Sequence, residues 1–155
     1  MFKYIPLLLL SILSFLKRLI AQDVRGMGEE IDISLIAKTP QKITLSERSY
    51  RGMPTKASLE QFAPTPGNQG PYGTCTAWSV GYGVATILYA KTHNITDKAI
   101  INKYAFSPSH LYEQIKKPTD KDCQGGSNSI QALMTLIQKG DATLKTAPYR
   151  CSHTI

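Results

Sequence analysis

Cysteine and tryptophan are scarce here: three of the first and one of the second in 155 residues. Three thiols can close at most one intramolecular disulfide, so at least one stays free, and a multiply bridged secreted scaffold is excluded. Charge is sparse as well, at 19% of residues, with a net charge of +7. Residues 1–22 contain no acidic residue, and setting aside Lys3, Lys17 and Arg18 leaves +4 for residues 23–155. Basic residues are not interleaved with aromatics in a stripe, which argues against a nucleic-acid partner. Lys116, Lys117, Lys121 and Lys139 read as solvated surface. No apolar run reaches the roughly 20 residues that cross a bilayer, so a stable membrane span is not expected. Apolar residues are not in short supply: at 42% they suffice for one globular domain.

The N-terminus carries its own pattern. Lys3 precedes an apolar run from Leu7 to Leu16, broken by Ser11 and Ser14, and Ala21 is a small residue suited to cleavage. Residues 1–22 therefore read as a signal peptide, and the mature chain as secreted or otherwise extracytoplasmic. Residues 23–52 are polar and read as a linker or short pro-region, with an alternating piece, Ile31 to Ile36, that suggests an edge strand. Residues 53–70, rich in proline and glycine, should be extended chain and turns.

From Thr74 to Lys91 the chain has no proline and is apolar on all sides, the mark of a buried helix. Gly81 and Gly83 weaken it locally and permit close packing. Residues 92–106 read as a polar loop. Ser107-Pro108 supplies an N-cap with proline at the first helical position, opening a helix over about 108–117. Ile130, Leu133, Met134 and Ile137 recur at helical spacing from Ser129 to Lys139, and Gly140 is placed to end that helix.

The segment 67–79, Gly-Asn-Gln-Gly-Pro-Tyr-Gly-Thr-Cys-Thr-Ala-Trp-Ser, is the most informative. A loop of turn formers delivers Cys75 to the start of the apolar helix, with the amide of Gln69 six residues upstream. A helix N-terminus stabilises a thiolate, the reactive form of cysteine, through its unpaired N–H groups and dipole. Most free cysteines are inert core residues, so the spacing matters more than the residue.

This segment resembles the active-site segment of papain-family cysteine peptidases, in a bacterial rather than a disulfide-rich form. The resemblance continues in order over residues 53–155: Met53-Pro54, the approach Pro64 to Gly70, Gly73-Thr74-Cys75, Phe106 to Tyr112, Asp122-Cys123-Gln124-Gly125-Gly126 and Ala147-Pro148-Tyr149. It implies an α+β papain-like fold, of which this chain holds the mainly helical N-terminal half and lacks the β-rich one. It implies Cys75 as nucleophile, Gln69 as oxyanion donor, and Gly125, Gly126 and Ser127 lining the cleft for a peptide or protein substrate. Cofactors and metals are not called for.

Three departures stand out. Thr76 takes the place of a tryptophan after the nucleophile. Tyr72 replaces the usual bridging partner of Cys123, and Gln114 stands near another expected cysteine, so by the family pattern Cys123 and Cys151 both lack their usual partners, which leaves open whether they pair with each other. The family's histidine base lies roughly 130–150 residues beyond its cysteine, whereas 80 residues follow Cys75. His93 and His110 read as surface residues. His153 stands beside Cys151, and a zinc site from Cys123, Cys151 and His153 matches no standard spacing. The expectation is a peptidase half, inactive alone, whose base comes from a missing C-terminal half. The alternative is a non-catalytic, peptidase-derived module that holds a peptide or partner.

Overall fold

The structure, a computed structural model, describes residues 28–40 and 54–151. The signal-peptide assignment, Met53 and His153 lie outside the described residues.

The described residues are mostly helical. Helix α1 (Ile33–Lys38) occupies the piece that alternation suggested as an edge strand. The reason is capping: the Asp32 carboxylate accepts from the N–H groups of Ser34 and Leu35, which opens a helix more effectively than alternation specifies a lone strand. A single 3-10 turn, Glu60–Phe62, interrupts the proline-rich approach and buries Phe62.

Helix α2 is built from three consecutive stretches, α-helical Cys75–Ala77, π-helical Trp78–Ala85 and α-helical Thr86–Thr92. The π stretch coincides with Gly81 and Gly83, where the backbone is least costly to widen. Ala77, Val80 and Ala85 of this helix are buried, but Val84 is 42% and Leu88 51% exposed. The expectation of a helix buried on every side is thus corrected. Among the described residues its apolar surface exceeds what packs against it.

Helix α3 (Lys98–Lys103) stands where a polar loop was expected. Asp97 caps it by accepting from Ala99 and Ile100 N–H, and Ile101 anchors it in a small cluster with Phe62 and Ala90. Helix α4 (Pro108–Ile115) starts as the sequence predicts, with the Ser107 hydroxyl accepting from His110 N–H and proline at the first turn. Helix α5 (Ser129–Lys139) is capped by Asn128 and ends at Gly140, whose φ is 73°.

The core lies where α2, α4 and α5 meet: Ala77, Val80, Leu111, Tyr112, Ile115, Cys123 and Ala132. Gly81 serves this junction, because a Cβ there would fall 2.9 Å from Asp141 Oδ2 and 3.2 Å from Leu111 Cδ2. The face that α5 turns inward is not the one its apolar period marks. Ala132 and Thr135 are buried, while Leu133 and Met134 are exposed and Ile137 is 82% exposed. Small residues let α5 sit close to α4, and close approach decides the buried face here ahead of residue hydrophobicity.

Two isolated bridges add what extended pairing there is among the described residues: Phe106 with Thr143, antiparallel, and Glu29 with Ser127, parallel. Cys123 and Cys151 form a disulfide across 28 residues, with Cα atoms 5.9 Å apart. The family pattern supplies neither with its usual partner and leaves their mutual pairing open; here each finds the other. Cys75 is the free cysteine.

Candidate functional site

Cys75 begins α2 and is half-buried. Thr74, just before it, makes no side-chain cap to the helix. Its hydroxyl lies 2.7 Å from the Tyr149 hydroxyl, which donates to the Gln69 carbonyl at 2.7 Å. The N–H groups of the first turn therefore keep their free edge beside the thiol. Tyr149 packs edge-on against Trp78, with ring centroids 4.9 Å apart, and so ties the approach loop to the helix it feeds. The Gln69 amide donates to the Tyr72 carbonyl at 2.6 Å, which fixes that side chain within the same loop.

The approach loop is stitched to the Cys123–Ser127 loop. Gly73 N–H donates to the Cys123 carbonyl at 2.7 Å, and the Gln124 amide donates to the Pro71 carbonyl at 3.0 Å. A Cβ on Gly73 would meet the Gln124 carbonyl oxygen at 2.9 Å, so the two backbones touch. Behind this loop the Tyr112 hydroxyl donates 2.6 Å to the buried Asp120 carboxylate, which also accepts from Gln124 N–H. Burial pushes the Asp120 carboxyl up, but the Tyr112 bond and its companions outweigh it and hold the group below its ordinary value. Gly125 packs on Asp120, and Gly126 takes the left-handed φ of 71°. In this way Gly126 and Ser127 lie against Gly28 and Thr76, the neighbours of Cys75, whereas Gly125 faces Asp120.

The sequence did not reveal what lies in that place. Gly28–Glu30, from the presumed linker, runs along Ser127. Ser127 N–H donates to the Gly28 carbonyl at 2.6 Å, and Glu30 N–H donates to the Ser127 carbonyl at 3.0 Å. Gly28 N–H points at the Cys75 sulfur, 3.2 Å away. A Cβ on Gly28 would fall 1.9 Å from the Gly73 carbonyl oxygen, and one on Gly126 would fall 2.7 Å from the Gly28 carbonyl oxygen. Three glycines thus stack three backbones over one thiol. The Glu29 carboxylate accepts from the Thr76 hydroxyl at 2.7 Å and from the Ser129 hydroxyl at 2.9 Å. Lys117 pairs with Glu30 at 2.5 Å on the outside. These contacts span 47 to 100 positions of sequence, and the run Gly28-Glu29-Glu30 carries no local signal of them.

The histidines lie elsewhere. His93 stacks on Tyr89 and its Nδ1 is 2.9 Å from the Tyr89 carbonyl. His110, expected at the surface, is half-buried, with Nδ1 2.7 Å from Asp141 Oδ1. Ala142 N–H is directed at the same Nδ1 at 3.1 Å. Burial raises the Asp141 carboxyl to about 6 against the opposing pull of His110. Lys116, read as solvated, instead tucks against Glu113 at 2.7 Å. Among the described residues no cluster of His, Cys, Asp and Glu is arranged to hold a metal ion, and no helix is long and apolar enough to cross a membrane.

No family model, curated protein or solved structure matches this chain.

Proposed function

We propose that this chain is the nucleophile-bearing part of a secreted, papain-like cysteine peptidase. The observation that carries this reading is a peptide-like strand, Gly28–Glu30, paired to Ser127 with its backbone N–H on the sulfur of the free Cys75. A peptide substrate would take the same place. The Cys75 sulfur would attack the scissile carbonyl carbon, the C–N bond would break, and the leaving amine would take a proton from an imidazole. Water would then cleave the thioester and regenerate the thiol. The oxyanion would lie between Cys75 N–H and the Gln69 amide once that amide turns from Tyr72.

His93 and His110 are bonded at other places in the fold, so the imidazole would come from outside the described residues. That same observation favours the second reading, a module that holds a peptide without cutting it.

The test is trapping of the full chain by a peptidyl chloromethyl ketone, with the modified residue mapped by mass spectrometry. The peptidase-derived cleft predicts an adduct on Cys75, formed faster than on the urea-unfolded chain. Equal rates in folded and unfolded protein would refute a peptide cleft at this thiol. Cys75-dependent turnover of a peptide, absent in Cys75→Ala, separates peptidase from holding module.

A further inference from the structure

We propose that a carboxylate-binding subsite, formed by Thr76 and the N-terminus of α5 at Ser129, lies beside Cys75 and selects an acidic side chain in the bound peptide. This rests on the reading of the Cys75 cleft as a peptide site. In the structure the subsite is filled by the chain's own Glu29.

The receiving groups are built for one carboxylate. The Thr76 hydroxyl meets Oε2 at 2.7 Å, and the Ser129 hydroxyl and N–H meet Oε1 at 2.9 and 3.2 Å. Asn128 spends its side-chain oxygen on the N–H groups of Ile130 and Gln131. The Ser129 N–H is therefore left for an external acceptor, at the positive end of an 11-residue helix. Burial would push the Glu29 carboxyl up, yet the Thr76 and Ser129 bonds outweigh it and hold the group below its ordinary value.

The receiver belongs to the body of the fold and the occupant does not. Thr76 is 2% exposed, and Ser127 and Asn128 are buried, whereas Glu29 is exposed. The cradle also survives the departure of Glu29, because the Thr76 hydroxyl can turn to the Ser127 carbonyl 3.1 Å away. The occupant is held as a peptide would be: its backbone is paired to Ser127, and the Asn128 amide donates to the Glu30 carbonyl at 2.7 Å. Thr76 is the position where the resembled family has a tryptophan, and the hydroxyl is what gives this cleft its acidic preference.

The experiment uses the full chain with Glu29→Gln, which keeps the shape of the side chain and weakens its hold. N-acetylated Gly-Glu-Glu amide and its Gly-Gln-Glu counterpart are titrated, with binding read from the amide NMR shifts of Thr76 and Ser129. The Glu peptide should bind about tenfold more tightly or better, the range of a charge-assisted hydrogen bond over a neutral one. The preference should vanish with Thr76→Val and persist with Thr76→Ser. In the wild-type chain, excess Glu peptide should displace Glu29 and shift the same two amides, a reading that holds even if a variant folds poorly. Equal affinity for both peptides, or no shift in either protein, would overturn the subsite. Binding requires no thiol chemistry. A Glu preference that survives in Cys75→Ala, with no turnover by wild type, would leave the subsite standing and remove the peptidase reading.

Discussion

Breaking the Cys123–Cys151 bond should remove a large part of the stability of this chain. The bond closes a loop of 28 residues that contains α5 and the segment returning to Tyr149. Loop-closure entropy for that length corresponds to about 3–4 kcal/mol at 25 °C. A domain of this size is stable by only about 5–15 kcal/mol. The loss should exceed the closure term slightly, since Cys123 is a buried member of the core and adopts a left-handed φ of 60° that the bond helps to hold. The assay is urea unfolding followed by circular dichroism, on the Cys75→Ala chain to prevent disulfide exchange, with and without a phosphine reductant. With an m-value of about 1–3 kcal/mol per molar urea, the midpoint should fall by roughly 1–4 M on reduction. A change under about 1 kcal/mol would refute the reasoning, because it would mean that α5 and the Tyr149 segment stay docked without the covalent tie. A non-reducing peptide map that links Cys75 to either partner would refute it more directly.

Gly28→Ala should push Gly28–Glu30 off Cys75, since its Cβ would sit 1.9 Å from the Gly73 carbonyl oxygen; iodoacetamide should then label Cys75 several times faster, and an unchanged rate would sink the contact. Asp141 is raised to about 6, above the roughly 3.9 of an unfolded aspartate. Its contribution is therefore full below about pH 4 and is lost as pH rises through about 6. Asp141→Asn should flatten the fall in Tm across that window, and parallel profiles for the two proteins would count against the buried pair. On α5, Ala132→Leu should cost about 1–3 kcal/mol by overpacking, while Ile137→Ser should change stability by less than about 0.5 kcal/mol; the reverse order in a denaturation series would show the helix packed on its other face.

Capping residues were the most legible part of the sequence. Ser107-Pro108 and Gly140 set helix boundaries within reach of their neighbours, and both stand where local chemistry puts them. Asp32 and Asp97 carried the same kind of signal, yet alternation in one segment and polarity in the other masked it. The burial of α5 was not legible, because its apolar period marks an amphipathic helix and says nothing of how closely Ala132 lets α4 approach. Cys75 at a helix start could be read from the turn formers before it and the apolar run after it, whereas a glycine-rich loop near it was suggested only by the family resemblance. The strand over the thiol could be read from neither, for it depends on Gly28 meeting Gly73 and Gly126 across the fold. The Cys123–Cys151 pairing is non-local in the same sense: its partners are separated by a whole helix.

The π-helical stretch Trp78–Ala85 bears on how this helix can change in length. A π turn carries one more residue than an α turn, so it takes up an added residue without rotating the chain on either side. One residue removed between Trp78 and Ala85 would tighten the turn to α-helical pitch and leave both ends in phase. One removed between Thr86 and Thr92 would instead swing everything before it by about 100° relative to Ala90 and His93. The aim of the Cys75 sulfur is thereby insulated from the loss of a single residue in the middle of the helix that carries it.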